Sequence, residues 1–403
     1  MNRNDYLTHI WKAYPAMPEK IQVAGRIFAI EHDSGSLKLT LQRDQKIHKV
    51  HFAKAPPYSE FLLEGDVVAV VSPEEILLLA PQKAPLPRRI LAPEVLMKWN
   101  HYVQGLRGFF LSHDFLEIKT PSLVPCPGTE PSLDVFATEL KVGSRLEKLY
   151  LPTSPELHLK KALALGADKI FEIAPCYRNG EITERHQPEF TMLEWYRAYD
   201  NLSSIKKDVV NLVQNLAQHL QVSAPQIVKS YSVAELFKIH CDFSLTPQTT
   251  KAELKALAEK LNVDVHSAES IDDFFFLIFM EKIESQLNPN EMIFVEKYPP
   301  YQAALARLTE DGWGDRFEVY WQGYELANAF HELNDPAVQR LRSQEDLDKK
   351  RELKKEPVRL DDEFFQCLEA GMPPSGGIAL GVERLFMALT GISRISDLRL
   401  FPW

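Results

Sequence analysis

The 403-residue sequence predicts an α+β protein in which hairpin-joined strands are flanked by helices, with a small OB-like β-barrel at the N-terminus. Three observations predict it. Ile21–Ala80 packs five short β-type runs between turn signals. Lys169–Arg197 and Arg316–Asp335 each read as strand, reversal, strand. Pro373–Gly391 reads as a glycine-rich strand running into an apolar helix.

Composition sets the limits. The chain is 45% hydrophobic and 25% charged, enough for a large core and two domains, expected at 1–85 and 93–403 with a linker at 86–92. The net charge is −10. Residues 1–90 hold 12 Lys+Arg against 10 Asp+Glu, leaving 34 against 46 for the rest, and no long basic run offers a phosphate track. The N-terminus lacks an uninterrupted apolar stretch of the secretory kind, and Val67–Val71 and Ile76–Ala80 are too short to span a bilayer. Cys126, Cys176, Cys241 and Cys367 are scattered without C-x-x-C spacing, which argues against a zinc site or disulfide framework and fits a reducing, cytoplasmic setting.

Taken in order, residues 1–15 read as one short helix. The runs IQVAGRIFAI, SLKLTLQR, KIHKVHF, DVVAVV and EILLLA follow, separated by Asp33-Ser34-Gly35, Asp44-Gln45, Pro56-Pro57 and Ser72-Pro73. Pro81, Pro85, Pro87 and Pro93, with Arg88-Arg89, make a stiff connection. Pro93–His113 is helical on the spacing of Leu96, Trp99, Tyr102, Val103, Leu106, Phe109 and Phe110. A strand over Phe115–Thr120 stops at Pro121, and Val124–Ser132 is a rigid loop. Strands are expected at Asp134–Leu140 and Lys148–Thr153, a helix at Glu156–Leu165 opened by Ser154 or Pro155, and amphipathic helices between Asn201 and Leu308.

Three stretches carry chemistry. In Lys169–Arg197 the return strand puts Phe190, Met192, Glu194 and Tyr196 on one face. A carboxylate there is costly to bury unless a cation meets it, although an ordinary salt-bridged hairpin gives the same pattern. In Arg316–Asp335 a turn near Gln322-Gly323 sets Glu318 nearly opposite Glu325, which is unfavourable unless a divalent cation such as Mg²⁺ lies between them or both are solvated on an edge. Asn328, Phe330 and Glu332 share a face, and the parity change after Glu325 predicts a bulge. In Pro373–Gly391, Gly376, Gly377 and Gly381 leave room for a flat group against the backbone, and Arg384 suits a phosphate or purine face. No P-loop sequence is present.

Together these stretches resemble motifs 2 and 3, with the metal-binding strands before motif 3, of the class II aminoacyl-tRNA synthetases. The segment around Pro121 resembles the dimerisation motif 1. PEFTMLEWYR, ELANAF-HELND and GIALGVERLFM are similar to the lysine subgroup, from about Pro93 to the C-terminus. Within that subgroup the better match is the elongation factor P lysyltransferases, on three features: Ser154 in TSPE, Ala379 in GIALG, and Trp195-Tyr196-Arg197.

The resemblance implies a class II antiparallel sheet, ATP and Mg²⁺, activation of (R)-β-lysine or lysine as an adenylate, transfer to a lysine of elongation factor P, and a homodimer. It implies that Arg178 and Arg384 are catalytic. Ser154, Glu156, Glu194, Tyr196, Asn328, Glu332 and Ala379 would bind the lysine. Arg178, Asn179, Gly180, His186, Gln187, Phe190, Glu325, Leu326, Gly381 and Arg384 would bind ATP, with Phe190 stacked on adenine, and Glu318 and Glu325 would hold the metal. The sequence departs from the family pattern at Gly180, Gln187, Ala329 and Glu383, and the N-terminal barrel is unusual for the short transferases. A lysyl-tRNA synthetase and a regulatory paralogue without chemistry are the alternatives.

Overall fold

The computed structural model describes residues 1–9, 11, 17–43, 46–83, 93–266, 268–303, 305–399 and 401. The expected linker at 86–92 lies outside them. The chain forms two units, one of Met1–His101 with Asp397–Pro402, the other built from Tyr102–Ser396.

In the first unit a short helix, α1 (Arg3–His9), precedes five strands: β1 (Val23–Asp33), β2 (Ser36–Arg43), β3 (Lys46–Phe52), β4 (Val67–Ser72) and β5 (Glu75–Ala80). They form an antiparallel sheet in the order β3-β2-β1-β4-β5, which is OB-like. Closure into a barrel, through a β3–β5 pair, is not among the pairings of the described residues. Alternation explains the core: Leu37, Leu39 and Leu41 of β2 all point inward, onto Ile27, Phe52, Val68 and Leu78. A bulge between Ile27 and Ala29 bends the long β1. The fully buried Asp66 is held by Arg3, at 2.7 and 2.9 Å, and by the N–H groups of Leu63 and Gln82.

The second unit begins within α2 (Pro93–Ser112), at Tyr102, and continues with β6 (Leu116–Glu117), a hairpin β7 (Ala137–Val142) and β8 (Arg145–Tyr150), α3 (Glu156–Ala164), β9 (Lys169–Tyr177), β10 (Glu189–Ala198) and α4 (Leu202–Leu220). Then come β11 (Val228–Ser232), α5 (Val233–Cys241), α6 (Lys251–Lys260), α7 (Ile271–Ile278) and β12 (Met292–Tyr298). The last elements are β13 (Gly314–Trp321), β14 (Tyr324–His331), α8 (Pro336–Glu352), α9 (Asp362–Gly371), β15 (Ser375–Gly381) and α10 (Val382–Thr390). The strand expected over Phe115–Thr120 shortens to two residues, because the chain leaves the sheet edge ahead of Pro121. β11 and β12 fall where only helices were expected.

One eight-stranded sheet, in the order β11-β12-β13-β14-β15-β10-β9-β6, organises this unit. Every pair is antiparallel except β11–β12 and β6–β9. One face is sealed by aromatic packing. Phe110 of α2 stacks on Phe171 at 4.8 Å and meets Trp195 at 5.1 Å, while Tyr102 donates a hydrogen bond to the Val382 carbonyl. Trp195 and Arg197 both grip Asp208 of α4, Arg197 through a two-pronged ion pair at 2.6 and 2.7 Å. Of Glu194-Trp195-Tyr196-Arg197, only Glu194 and Tyr196 therefore face the other side, where a cleft opens.

Candidate active site

Register places the polar groups. Glu172, Glu194, Ala379, Asn328 and Glu318 lie directly opposite one another across β9, β10, β15, β14 and β13, one row on one face. The neighbouring row brings Tyr196, Gly377, Phe330 and Arg316 together. The β13–β14 turn is left-handed at both Gln322 and Gly323, the pattern of a two-residue hairpin. The predicted bulge is present and Leu326 is the extra residue, since Val319 pairs with Ala327 but Tyr320 with Glu325. This corrects the register expected from sequence: Glu318 faces Asn328, and Glu325 faces Tyr320. The bulge nevertheless returns Glu325 to the face that carries Glu318.

A cleft of about 350 Å³ lies over this face. At its inner end Glu156 and Glu194 line the cleft, and the buried Glu332 is joined to Glu156 through Lys160. Glu194 is wholly buried, accepting hydrogen bonds from Ser154 Oγ at 2.6 Å and Tyr196 Oη at 3.0 Å. Burial, then the Glu156 charge, raises its pKa to about 8. Lys160, also buried, bridges Glu156 at 2.5 Å and Glu332 at 2.6 Å. Burial raises the Glu332 carboxyl to about 8 although Lys160 opposes the shift, and the Lys160 ammonium is held charged against its own burial by the two carboxylates. Three carboxylates against one ammonium leave this end with an unmet demand for cations. Lys160 was not legible as a site residue; its signal is the four-residue spacing from Glu156 on α3.

Gly377 lets these groups meet. A Cβ there would fall 2.2 Å from Glu332 Oε1 and 2.3 Å from the Tyr196 ring. At Gly376 it would fall 2.9 Å from Ile205. This corrects the expectation that both glycines make room for a flat ligand: the protein's own side chains occupy that space. Only at Gly381, where the nearest atom is the Arg384 side chain at 3.5 Å, does the expectation survive. Ala379 sits between Asn328 and Glu194 in the row, where a larger residue would fill the cleft floor.

The outer end is cationic. Arg178 stacks on Phe190, its guanidinium carbon 5.0 Å from the ring centre, and its buried Nε has no hydrogen-bond partner. An unpaired guanidinium nitrogen fits an awaited anion. Arg384 donates to the Glu325 carbonyl at 2.9 Å and lies 2.5 Å from His186 Nε2, while His186 Nδ1 pairs with Thr183 Oγ1. Burial, then Arg384, lowers the His186 pKa, so the ring is a neutral acceptor that orients Arg384. Gln187 lines this end and is buried. Asn179 donates its backbone N–H to the Asp134 carbonyl, and Gly180 turns the chain at φ +82°, a conformation that residues with a side chain rarely adopt. Arg185, another residue missed in the sequence, lies on Tyr324 at 4.9 Å. Glu383 holds the Thr191 N–H and hydroxyl and so fastens α10 to β10.

Glu318 accepts from Arg316, from Tyr298 Oη at 2.5 Å and from Tyr320 Oη at 2.7 Å. Burial, then the Glu318 charge, raises Glu325 to about 7. A carboxyl held up by a neighbouring carboxylate is the electrostatic mark of a position where a cation is favourable. Among the described residues no group of three or more His, Cys, Asp or Glu side chains forms a metal cage. That is compatible with a metal held by two carboxylates and substrate phosphates. The four cysteines are free, and among the described residues no helix is long and apolar enough to cross a membrane.

Comparison with known proteins gives the same reading. Residues 86–403 match the family model described as tRNA synthetases class II (D, K and N). The chain is 36% identical over 307 residues to the elongation factor P–(R)-β-lysine ligase of Haemophilus influenzae (strain PittGG), covering 75% of this chain and 93% of that protein. It is 35% identical over 314 residues to the ligase of the same name from Proteus mirabilis (strain HI4320), covering 76% and 94%. A third such ligase, from Klebsiella pneumoniae (strain 342), is 35% identical over 315 residues, covering 76% and 94%. The chain belongs to the class II (D, K and N) tRNA synthetase family.

Proposed function

We propose that the protein is an ATP-dependent ligase that activates (R)-β-lysine, or lysine, as an adenylate and transfers it to a lysine side chain of elongation factor P. The observation that carries this is the polarity of the cleft. Carboxylates lie at its inner end with too few cations, and Arg384 and Arg178, the latter with an unpaired nitrogen, lie at its outer end. A substrate with two ammonium groups and one carboxylate fits that gradient in one orientation.

In that orientation Glu194, with Ser154 and Tyr196, takes one ammonium group. Glu156, Asn328 and Glu332 surround the remainder, and Ala379 forms the floor. Arg178 draws the substrate carboxylate and the α-phosphate together. Phe190, His186, Gln187, Asn179, Gly180, Leu326, Gly381 and Arg384 form the nucleotide end. The carboxylate attacks the α-phosphorus, pyrophosphate leaves, and Arg178 and Arg384 balance the developing charge without an enzyme nucleophile. Glu318 and Glu325 would hold Mg²⁺, which supplies charge neutralisation on the phosphates. The names of the relatives support the acceptor.

A second reading, a lysyl-tRNA synthetase, is favoured by the OB-like sheet at the N-terminus. Against it, residues 1–90 carry only a small basic excess. We further infer a two-fold dimer through α2 and the segment before Pro121, supported by the exposed Leu111 and Leu116. Light scattering at micromolar concentration tests it, and a monomer contradicts it.

ATP–pyrophosphate exchange tests the activation step. Exchange that depends on (R)-β-lysine or lysine is expected, and exchange with neither would leave a paralogue without chemistry. Glu325→Gln should lower exchange by at least about tenfold and weaken its dependence on Mg²⁺. Unchanged Mg²⁺ dependence would remove Glu325 from the metal site.

A further inference from the structure

A second cavity, of about 480 Å³, adjoins the cleft. The two share Glu130, Ser132, Ser154, Glu156 and Leu305 as a common wall. Beyond Ser154 and Glu156 on that shared wall, none of the residues assigned to the activation reaction lines it. Its sides are apolar, with Phe276, Leu305, Leu360, Phe364 and Phe365, and Phe276 and Leu353 remain well exposed. Its carboxylates fall into two groups. Asp272 is paired with Lys349 at 2.9 Å, Asp361 with Lys161 at 2.8 Å, and Asp273 caps α7. Asp346 accepts only from the Thr129 hydroxyl, at 3.2 Å, and Glu130 has no ion pair among the described residues. An apolar passage with unpaired carboxylates suits an alkyl chain ending in an ammonium group.

Glu130 stands where the cavities meet, and its loop is built to hold it there. Gly128, at φ +133°, leaves room that a Cβ would take from Glu130 Oε2, at 2.3 Å. The buried Lys350 donates to the carbonyls of Glu130 at 3.0 Å and Leu133 at 2.8 Å, fixing the loop. Glu156 from α3, Arg178 from the end of β9, and Asp346 and Lys350 from α8 are the charged groups that face it. Glu130 and Arg178, the group expected at the substrate carboxylate, line the same cleft, which puts a carboxylate within the electrostatic reach of the arginine that would hold the reacting carbonyl.

We propose that the acceptor's lysine side chain enters through this second cavity and that Glu130 takes the proton from its ammonium group before attack. This rests on the transfer reading above. An alkyl ammonium with pKa near 10.4 is neutral in fewer than about one molecule in a thousand at pH 7, so the step needs a base. One proton passes to the Glu130 carboxylate. The freed amine nitrogen bonds to the carbonyl carbon of the adenylate, and the bond from that carbon to the phosphate oxygen breaks. AMP leaves with the electron pair, and the second amine proton goes to the departing phosphate. Burial, then the Glu156 charge, raises the Glu130 pKa against the pull of Arg178 and Lys350, which makes it a better base than a solvated glutamate.

The test separates activation from transfer in Glu130→Gln. The adenylate is formed on the enzyme and then offered elongation factor P, Nα-acetyl-lysine methylamide, or hydroxylamine, which is neutral at pH 7. Exchange and capture by hydroxylamine should stay within about threefold of wild type, while transfer to the two alkyl ammonium acceptors slows by about 10²–10⁴ at pH 7. That deficit should shrink as pH rises and the acceptor loses its proton unaided. Leu353→Trp, at the exposed rim, should raise KM for the alkyl acceptors by at least about tenfold without affecting exchange. The proposal is overturned if exchange falls in step with transfer, if transfer to the alkyl acceptors is unimpaired, if the Leu353→Trp KM is unchanged, or if the wild type acylates hydroxylamine but no alkyl amine. Wild-type acylation of the small alkyl amine but not of elongation factor P would instead refute the proposed acceptor, and the Glu130→Gln comparison on the small amine would still decide the role of Glu130.

Discussion

A buried carboxyl with a raised pKa serves function at a cost in stability, and Glu194 shows both effects. Its carboxyl keeps its proton in the folded protein up to about pH 8, whereas an unfolded glutamate loses it near 4.5. The folded state therefore binds more protons between those values, and this group's contribution to stability falls as pH rises through that window. Glu194→Gln should accordingly melt higher than wild type at about pH 8, with little difference near pH 4, in scanning calorimetry. The same change should raise KM for lysine in exchange by at least about tenfold near pH 8 and above, where the ionised carboxylate is the partner of the ammonium, and by less at lower pH, where the carboxyl is already neutral. A lower melting temperature at pH 8 would contradict the burial argument. Lys160 carries the opposite sign. Lys160→Met leaves Glu156 and Glu332 buried without their cation, and about 3–5 kcal/mol of stability should be lost in urea unfolding. Glu194 was legible in the sequence because a carboxylate interrupts an apolar face. Lys160 was not, since a Glu–Lys pair four residues apart reads as an ordinary solvated helix pair.

At the level of elements, the cleft depends on strand register more than on any single loop. The bulge at Leu326 and the left-handed Gln322-Gly323 turn together decide that Glu325 shares a face with Glu318. The bulge was legible from the parity change, but its exact pairing was not, because a turn and a bulge can be combined in several registers that satisfy the same pattern. Gly377 expresses the same dependence. Gly377→Ala should push Tyr196 and Glu332 apart and lower kcat/KM for lysine activation by about tenfold or more, measured by exchange, with the protein still folded by circular dichroism. Unimpaired activation would show that neither contact matters. β11 and β12 escaped the sequence reading for different reasons. VKSYS is a polar edge strand without alternation, and MIFVEKY is a short apolar run in a helical neighbourhood that periodicity does not separate from helix. The loop that carries Glu130 has no periodicity at all, so its role appears only once the two cavities are seen to meet.

For the whole molecule, the chain combines a class II catalytic unit with an OB-like sheet, and its acceptor decides what the combination is for. The family and its sheet were legible because three motifs occur in order. The acceptor was legible only through the resemblance carried by Ser154, Ala379 and Trp195-Tyr196-Arg197, since Ser154 and Ala379 shape the pocket for the amino acid and not the surface an acceptor would meet. The measurement that tests the central claim most directly offers the enzyme ATP and (R)-β-lysine or lysine, with either purified elongation factor P or lysine tRNA, and follows the products by mass spectrometry and tRNA charging. The account predicts a mass gain of one lysyl unit on elongation factor P and little charging of the tRNA. Efficient charging of the tRNA with lysine, with no mass gain on elongation factor P, would contradict it.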